Sequence, residues 1–259
     1  MINLIMFVDT HCHLDHPSLR LRLQDVLASA GQSNVTKIIV PGVGVESWDD
    51  ISDLAKGIRG VYPAFGLHPM LADGYGEELY ERLAAYAGEA VAIGEIGLDY
   101  ANPGVSRERQ MTAFRSQLRM AVERGRPVLI HCRKAFQDLL RILKEENVER
   151  VGGVMHAFSG STEIAVECIK LGLYIAMSGT VTYRNAVRPA VVAGKVPLEN
   201  LLLETDSPDM TPEPYRGRDN EPAFLVEIAR KVAEIKGTTL EEVAAVTTGN
   251  AERLFGLKP

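Results

Sequence analysis

Residues 4–15 read Leu-Ile-Met-Phe-Val-Asp-Thr-His-Cys-His-Leu-Asp: an apolar run, then two histidines flanking a cysteine. Runs of this kind return along the chain at Ile5–Val8, Lys37–Val40, Val61–Phe65, Ala90–Ile93, Val128–Ile130, Gly153–Met155, Leu173–Met177 and Leu201–Leu203. Short continuous stretches rich in Val, Ile and Leu suit strands covered on both faces, as in a parallel sheet. Between them, Arg107–Arg124, Phe136–Glu146, Thr162–Leu171 and Glu221–Lys236 carry the spacing of amphipathic helices. Gly125 and Pro127 close the first of these, and Ser161 and Gly172 bracket the third. Eight strand-then-helix units predict a (β/α)8 TIM barrel, with residues 1–259 as a single domain. A doubly wound open sheet is the alternative. No Gly-x-Gly-x-x-Gly turn follows an early strand to support its dinucleotide-binding form.

Six histidines are present, and five of them (His11, His13, His68, His131 and His156) follow the C-terminal ends of predicted strands. Glu95 closes the fourth run and Asp206 the eighth. One histidine beside an apolar run reads as a structural residue, and one acid after a strand reads as a cap. In a barrel, however, all C-terminal strand ends converge on one rim, where active sites are built. The joint pattern therefore points to a site. Side chains alternate across a strand, so His11 and His13 share a face and Cys12 points to the helices. Cys132, directly after His131, takes the same packing role. By the same parity Asp9 is placed to hold a ligand imidazole, with bonding to backbone amides as the alternative. Glu204, two residues before Asp206, is a second candidate to orient a histidine. His68 and Arg133 face the rim as candidates to contact a substrate, with a structural hydrogen bond as the alternative for His68 and a pair with Glu204 or another acid for Arg133, and Asn220 reads as a helix cap.

Composition narrows the class. A hydrophobic fraction of 46% and a charged fraction of 24% are those of a globular protein able to bury a large core without metals or disulfides. Three cysteines are too few and too odd in number for a disulfide framework. The opening residues carry no basic leader, and no apolar run approaches the roughly 20 residues of a membrane span. These features lead to the expectation of a cytoplasmic protein with no membrane association, and the absence of a heptad seam to that of a monomer. A net charge of −6 argues against broad attraction to nucleic acid, although bound cations would still admit a phosphate substrate.

The chain resembles the TatD family of metal-dependent hydrolases, within the larger amidohydrolase-type barrels. The resemblance is carried by DTHCHLD at 9–15, FGLHP at 65–69, GEIGLDY at 94–100, LIHCR at 129–133, MHAFSG at 155–160, LLLETDSPDM at 201–210 and NEP at 220–222. It implies two divalent metal ions: His11 and His13 at one with Asp206 nearby, His131 and His156 at the other, and Glu95 bridging them. Imidazoles with carboxylates suit Zn or Mn, while family members are described as Mg-dependent. The implied reaction is attack of a metal-bridging hydroxide on phosphorus, with Asp206 as the catalytic acid–base group. Nucleic acid, DNA above all, or a small phosphodiester is the expected substrate. Two other readings stand beside it: an ester or amide hydrolase such as an aminoacyl-tRNA deacylase, and a non-catalytic metal-binding protein. Against the last, no ligand position is missing.

Overall fold

The computed structural model describes residues 5–101 and 103–258. Eight strands, β1 (Phe7–Asp9), β2 (Val35–Pro41), β3 (Val61–Phe65), β4 (Ala92–Asp99), β5 (Val128–Arg133), β6 (Gly153–Met155), β7 (Leu173–Met177) and β8 (Leu201–Leu203), pair in sequence order as one parallel sheet. Beyond β1, Thr10 N–H donates to Leu203 O (3.1 Å), Asp206 N–H to His11 O (2.8 Å) and His13 N–H to Ser207 O (2.9 Å). These bonds draw the first and last strands together into a barrel. A helix follows each strand, from Leu23–Gln32 after β1 to Leu225–Lys236 after β8.

Local chemistry sets where the helices start and stop. Ser106 accepts from Arg109 N–H to begin Arg107–Arg124, and Gly125, at φ 62°, ends it in the left-handed conformation that suits glycine. Ser161 accepts from Ile164 N–H at the head of Thr162–Lys170. The last segment departs from expectation: Pro222–Phe224 is a 3-10 turn, and the α-helix begins only at Leu225. Asn220 is not its cap. It is fully buried, and its Nδ2 donates to Thr205 O (2.8 Å) and Asp209 O (2.7 Å), pinning the loop after β8.

Two packed layers hold the barrel. Val8, Ile39, Ala64, Ala92, Leu129, Val154, Ala176 and Leu202, one residue from each strand, form the inner cluster. Ala251, Phe255 and Leu257 join it and plug the end away from the site. The outer cluster sets Phe7, Ile38, Phe65, Ile130, Met155 and Leu203 against helix residues such as Val26, Ile51, Leu118 and Leu139. Burying each such leucine or isoleucine contributes about 1.5–3 kcal/mol. Cys12, Cys132 and Cys168 are free and buried in this outer layer. No helix among the described residues is long and apolar enough to cross a membrane.

Strict alternation fails at two strands, and both failures shape the site. In β4 the pairing with β5 shifts between Ile93 and Ile96, so Ala92 and Glu95 both face inward despite opposite parity. The strand therefore continues past the apolar run to Asp99, and Glu95 lies within it rather than at its end. In β1, Phe7 packs outward and Val8 inward, yet beyond the strand end it is Cys12 that packs outward. The phase changes between them, which leaves Asp9 on the side of Phe7.

Candidate metal centre

At the C-terminal rim of the barrel the side chains of His11, His13, His68, Glu95, His131, His156 and Asp206 converge. His11 Nε2 lies 3.3 Å from Glu95 Oε2 and 3.8 Å from Asp206 Oδ1. Asp206 Oδ1 is also 3.6 Å from both His13 Nε2 and His156 Nε2. Glu95 Oε1 lies 3.0 Å from His131 Nδ1 and 3.7 Å from the Nε2 atoms of His68 and His156. Donor atoms at about 2.1 Å from a tetrahedral ion are separated by roughly 3.4 Å, close to the spacings around Asp206 and Glu95.

Several of these atoms have no other use. Among the described residues His11 Nδ1 and Nε2, His13 Nδ1 and Glu204 Oε2 are buried without a hydrogen bond. A buried polar atom left unpaired costs about 1–3 kcal/mol, so a set of them around two carboxylates is a site built for a ligand. Three groups have donor atoms that all lie within 4.8 Å of one another: His11, His13 and Glu95; His11, His156 and Glu204; and His68, Glu95 and His131. The donor set and spacing fit divalent cations. The grouping differs from the expected pairing in one respect, because His131 clusters with His68 and Glu95 while His156 stacks on His11 at 3.6 Å between ring centroids.

Electrostatics follow from crowding charge in a buried place. Burial opposes ionisation of Glu95 and Asp206, but the surrounding imidazoles outweigh it and hold both carboxyls below their usual range. Burial likewise disfavours the cations of His13 and His156. Asp206 nonetheless pushes His13 up to about 9, and Glu204 with Asp206 and Glu95 pushes His156 up to about 10. His11 is lowered by burial and by its neighbour His156. For His68 burial prevails, bringing it down to about 4. Its Nδ1 accepts from Met70 N–H (3.2 Å), so the neutral ring carries its hydrogen on Nε2, aimed at Glu95.

Supporting residues divide between the foreseen and the missed. Glu204 Oε1 lies 3.0 Å from His156 Nδ1 and accepts from Ala157 N–H at 2.6 Å. Asp9 does not reach an imidazole: it accepts from Thr205 N–H (2.9 Å), Thr205 Oγ1 (2.6 Å) and His11 N–H (3.3 Å). The phase change in β1 is the reason, since Asp9 faces β8 and not the rim. Asp99 was missed. Its Oδ2 lies 3.2 Å from His131 Nε2, and the available signal was its parity with Glu95 in Glu95-Ile-Gly-Leu-Asp99. Asp206 and Ala157 take left-handed backbone conformations, at φ 58° and 41°, a strain held by the packing around the site.

The centre opens into a cleft of about 410 Å³, lined by His13, His68, Glu95, Asp99, His131, Arg133, His156, Asp206, Asp209 and Met210 among others. β5 runs on past the apolar run Val128–Ile130 to Arg133, whose exposed side chain makes no ion pair among the described residues. A larger cavity of about 720 Å³ lies at the opposite ends of β2 and β3, with neither a histidine nor a carboxylate side chain among the described residues that line it. The chemistry belongs to the smaller one.

A parallel barrel carrying a buried imidazole–carboxylate centre on its C-terminal rim defines the class of metal-binding barrel enzymes. Within it, this chain belongs to the TatD family: the family profile described as TatD related DNase matches residues 8–256. It is 40% identical to the uncharacterized metal-dependent hydrolase YabD of Bacillus subtilis, over 96% of this chain and 99% of that protein. It is likewise 40% identical to the uncharacterized metal-dependent hydrolase YcfH of Escherichia coli K12, over 97% and 96%. The crystal structure of YjjV, a TatD homologue from Escherichia coli K12, superposes with a TM-score of 0.93 at 34% identity, covering 97% of this chain and 98% of that one.

Proposed function

We propose that this metal-dependent hydrolase of the TatD family cleaves phosphodiester bonds, with DNA as its substrate class. The observation that carries the reading is the convergence of four imidazoles on Glu95 and Asp206 beneath an open cleft whose wall holds an unpaired guanidinium, Arg133. The family description as a DNase agrees with it. His11, His13, His156, Asp206 and Glu95, with His131 on the far side of Glu95, are the residues that would hold two divalent ions. Such ions supply Lewis-acid polarisation of a phosphoryl oxygen and activation of water at neutral pH.

The chain's own groups do the rest. Asp206, held ionised at neutral pH by the imidazoles around it, takes the proton of the attacking water and returns it to the leaving oxygen. Glu204 fixes the ring of His156 from behind. Arg133 at the cleft mouth pairs with a non-bridging phosphate oxygen. His68, neutral and carrying hydrogen on Nε2, donates into the same space without adding charge.

The test is a substrate panel with protein reconstituted in Zn, Mn or Mg: single-stranded DNA, a p-nitrophenyl phosphodiester and a D-aminoacyl-tRNA. DNA and the diester should turn over, and Asp206→Asn should lower kcat by at least about 100-fold on both. Turnover of the aminoacyl-tRNA alone would overturn the phosphodiesterase reading in favour of carbonyl attack.

A further inference from the structure

We infer that Arg216, stacked on Tyr183, is the seat for the nucleotide beside the scissile phosphate and sets the preference for a single-stranded nucleic acid over a small diester. The inference rests on the phosphodiesterase reading and adds to it the residues that recognise the polymer. The guanidinium of Arg216 lies 4.0 Å above the centroid of the Tyr183 ring. Arg216 is exposed, and among the described residues it makes no hydrogen bond or ion pair. Several arginines elsewhere on the barrel's helices are held by acids instead: Arg115 and Arg119 by Glu146, Arg141 by Asp138, Arg82 by Asp49. A guanidinium seated over a ring keeps its outer side for a base and its N–H groups for a phosphate.

The stack is tied rigidly to the cleft. Tyr183 follows β7, and Arg216 lies in the loop after β8. Glu213 N–H donates to Thr182 Oγ1 at 2.9 Å, joining the two loops. They also touch at Gly179, where a Cβ would come within 1.8 Å of Met210 O, so only glycine permits the approach. Met210 and Asp209, from that same loop, line the cleft beside Asp206. The phenol of Tyr183 senses this neighbourhood. Burial raises its pKa, Arg216 opposes that, and Glu213, Asp206 and Asp209 add to it. Arg218 sits 5.3 Å from the Tyr215 ring, and that ring stacks on Phe224 at 4.1 Å, so a second cation of the loop also rests on an aromatic plane. Cations over aromatic planes beside a hydrolytic cleft are the combination that grips a single strand regardless of its sequence.

The experiment compares wild type with Arg216→Ala, Arg216→Lys and Tyr183→Leu on an oligo-dT substrate and on a p-nitrophenyl phosphodiester too short to reach the stack. For Arg216→Ala, KM for the oligonucleotide should rise by about 5- to 100-fold. The salt slope of log(1/KM) should fall by about 0.7, the value for one single-strand phosphate contact. Turnover of the small diester and metal content should stay at wild-type values. Arg216→Lys should keep the salt slope and lose part of the affinity, because ammonium preserves charge but not the planar stack. Wild-type KM and salt slope in Arg216→Ala, or an equal loss on both substrates, would overturn the inference. Should wild type cleave no DNA, the phosphodiesterase reading falls separately. Fluorescence anisotropy with labelled oligo-dT then decides the seat: weaker binding by Arg216→Ala supports it, and equal binding overturns it.

Discussion

Glu204→Gln isolates the charge that stands behind the metal centre. Glu204 is fully buried, with Oε1 accepting from Ala157 N–H at 2.6 Å and lying 3.0 Å from His156 Nδ1. Glutamine keeps the volume and an acceptor oxygen for Ala157, and removes only the negative charge facing the imidazole. Loss of an orienting carboxylate behind a ligand histidine weakens metal affinity by about 10- to 100-fold, or about 1.4–2.8 kcal/mol. Since the bond to Ala157 survives, the fold should lose no more than about 1 kcal/mol, a drop of some 2–4 °C in Tm. Glu204→Ala behaves differently, because it also strands the Ala157 N–H at about 1–3 kcal/mol, roughly a further 2–12 °C. Competition against a chromogenic chelator measures the affinity, and melting in excess chelator separates it from stability. A Gln variant that binds Zn or Mn as tightly as wild type would refute the reasoning, since charge would then contribute nothing through His156.

Two other outcomes test the frame around the site. Gly97, at φ 151°, sits where a Cβ would come within 1.9 Å of His131 O and 2.8 Å of its carbonyl carbon. Gly97→Ala must therefore push β4 from β5, at a cost of at least about 3 kcal/mol and 6 °C in Tm, read by calorimetry; an unchanged Tm would mean the strands are free to separate. The thiols should be silent: burial pushes Cys168 up to about 12 and raises Cys12 and Cys132 as well. Since the thiolate is the reactive form, a disulfide reagent at pH 8 should label none of them in the native protein and all three after denaturation. Rapid labelling of any one in the native state would contradict its packing role.

Much of this was legible along the chain because the relevant rules are local. Continuous Val, Ile and Leu runs announce strands covered on both faces, and the C-terminal end of a barrel strand has one place to be. His131, His156 and Asp206 therefore appear in the sequence already addressed to a common rim, and the inward parity of Leu129, His131 and Arg133 follows from alternation alone. Glu204, two residues before Asp206, was legible by the same rule.

Alternation holds only while the ladder stays regular, and a bulge is decided by the neighbouring strand rather than by the residues that form it. The extra residue between Ile93 and Ile96 turns Glu95 inward and carries β4 on to Asp99, a partner for His131 that the apolar run did not announce. At β1 the change of phase beyond Val8 sends Asp9 to Thr205, just past the strand that closes the barrel and 196 positions away, instead of to an imidazole. The stack of Arg216 on Tyr183 likewise exists because two loops meet at Gly179. The sequence by itself determined the barrel, the rim and the residue types that meet there. Which of them touch was decided by strand pairing and loop contact across the closed sheet, because those interactions join positions that no local period relates.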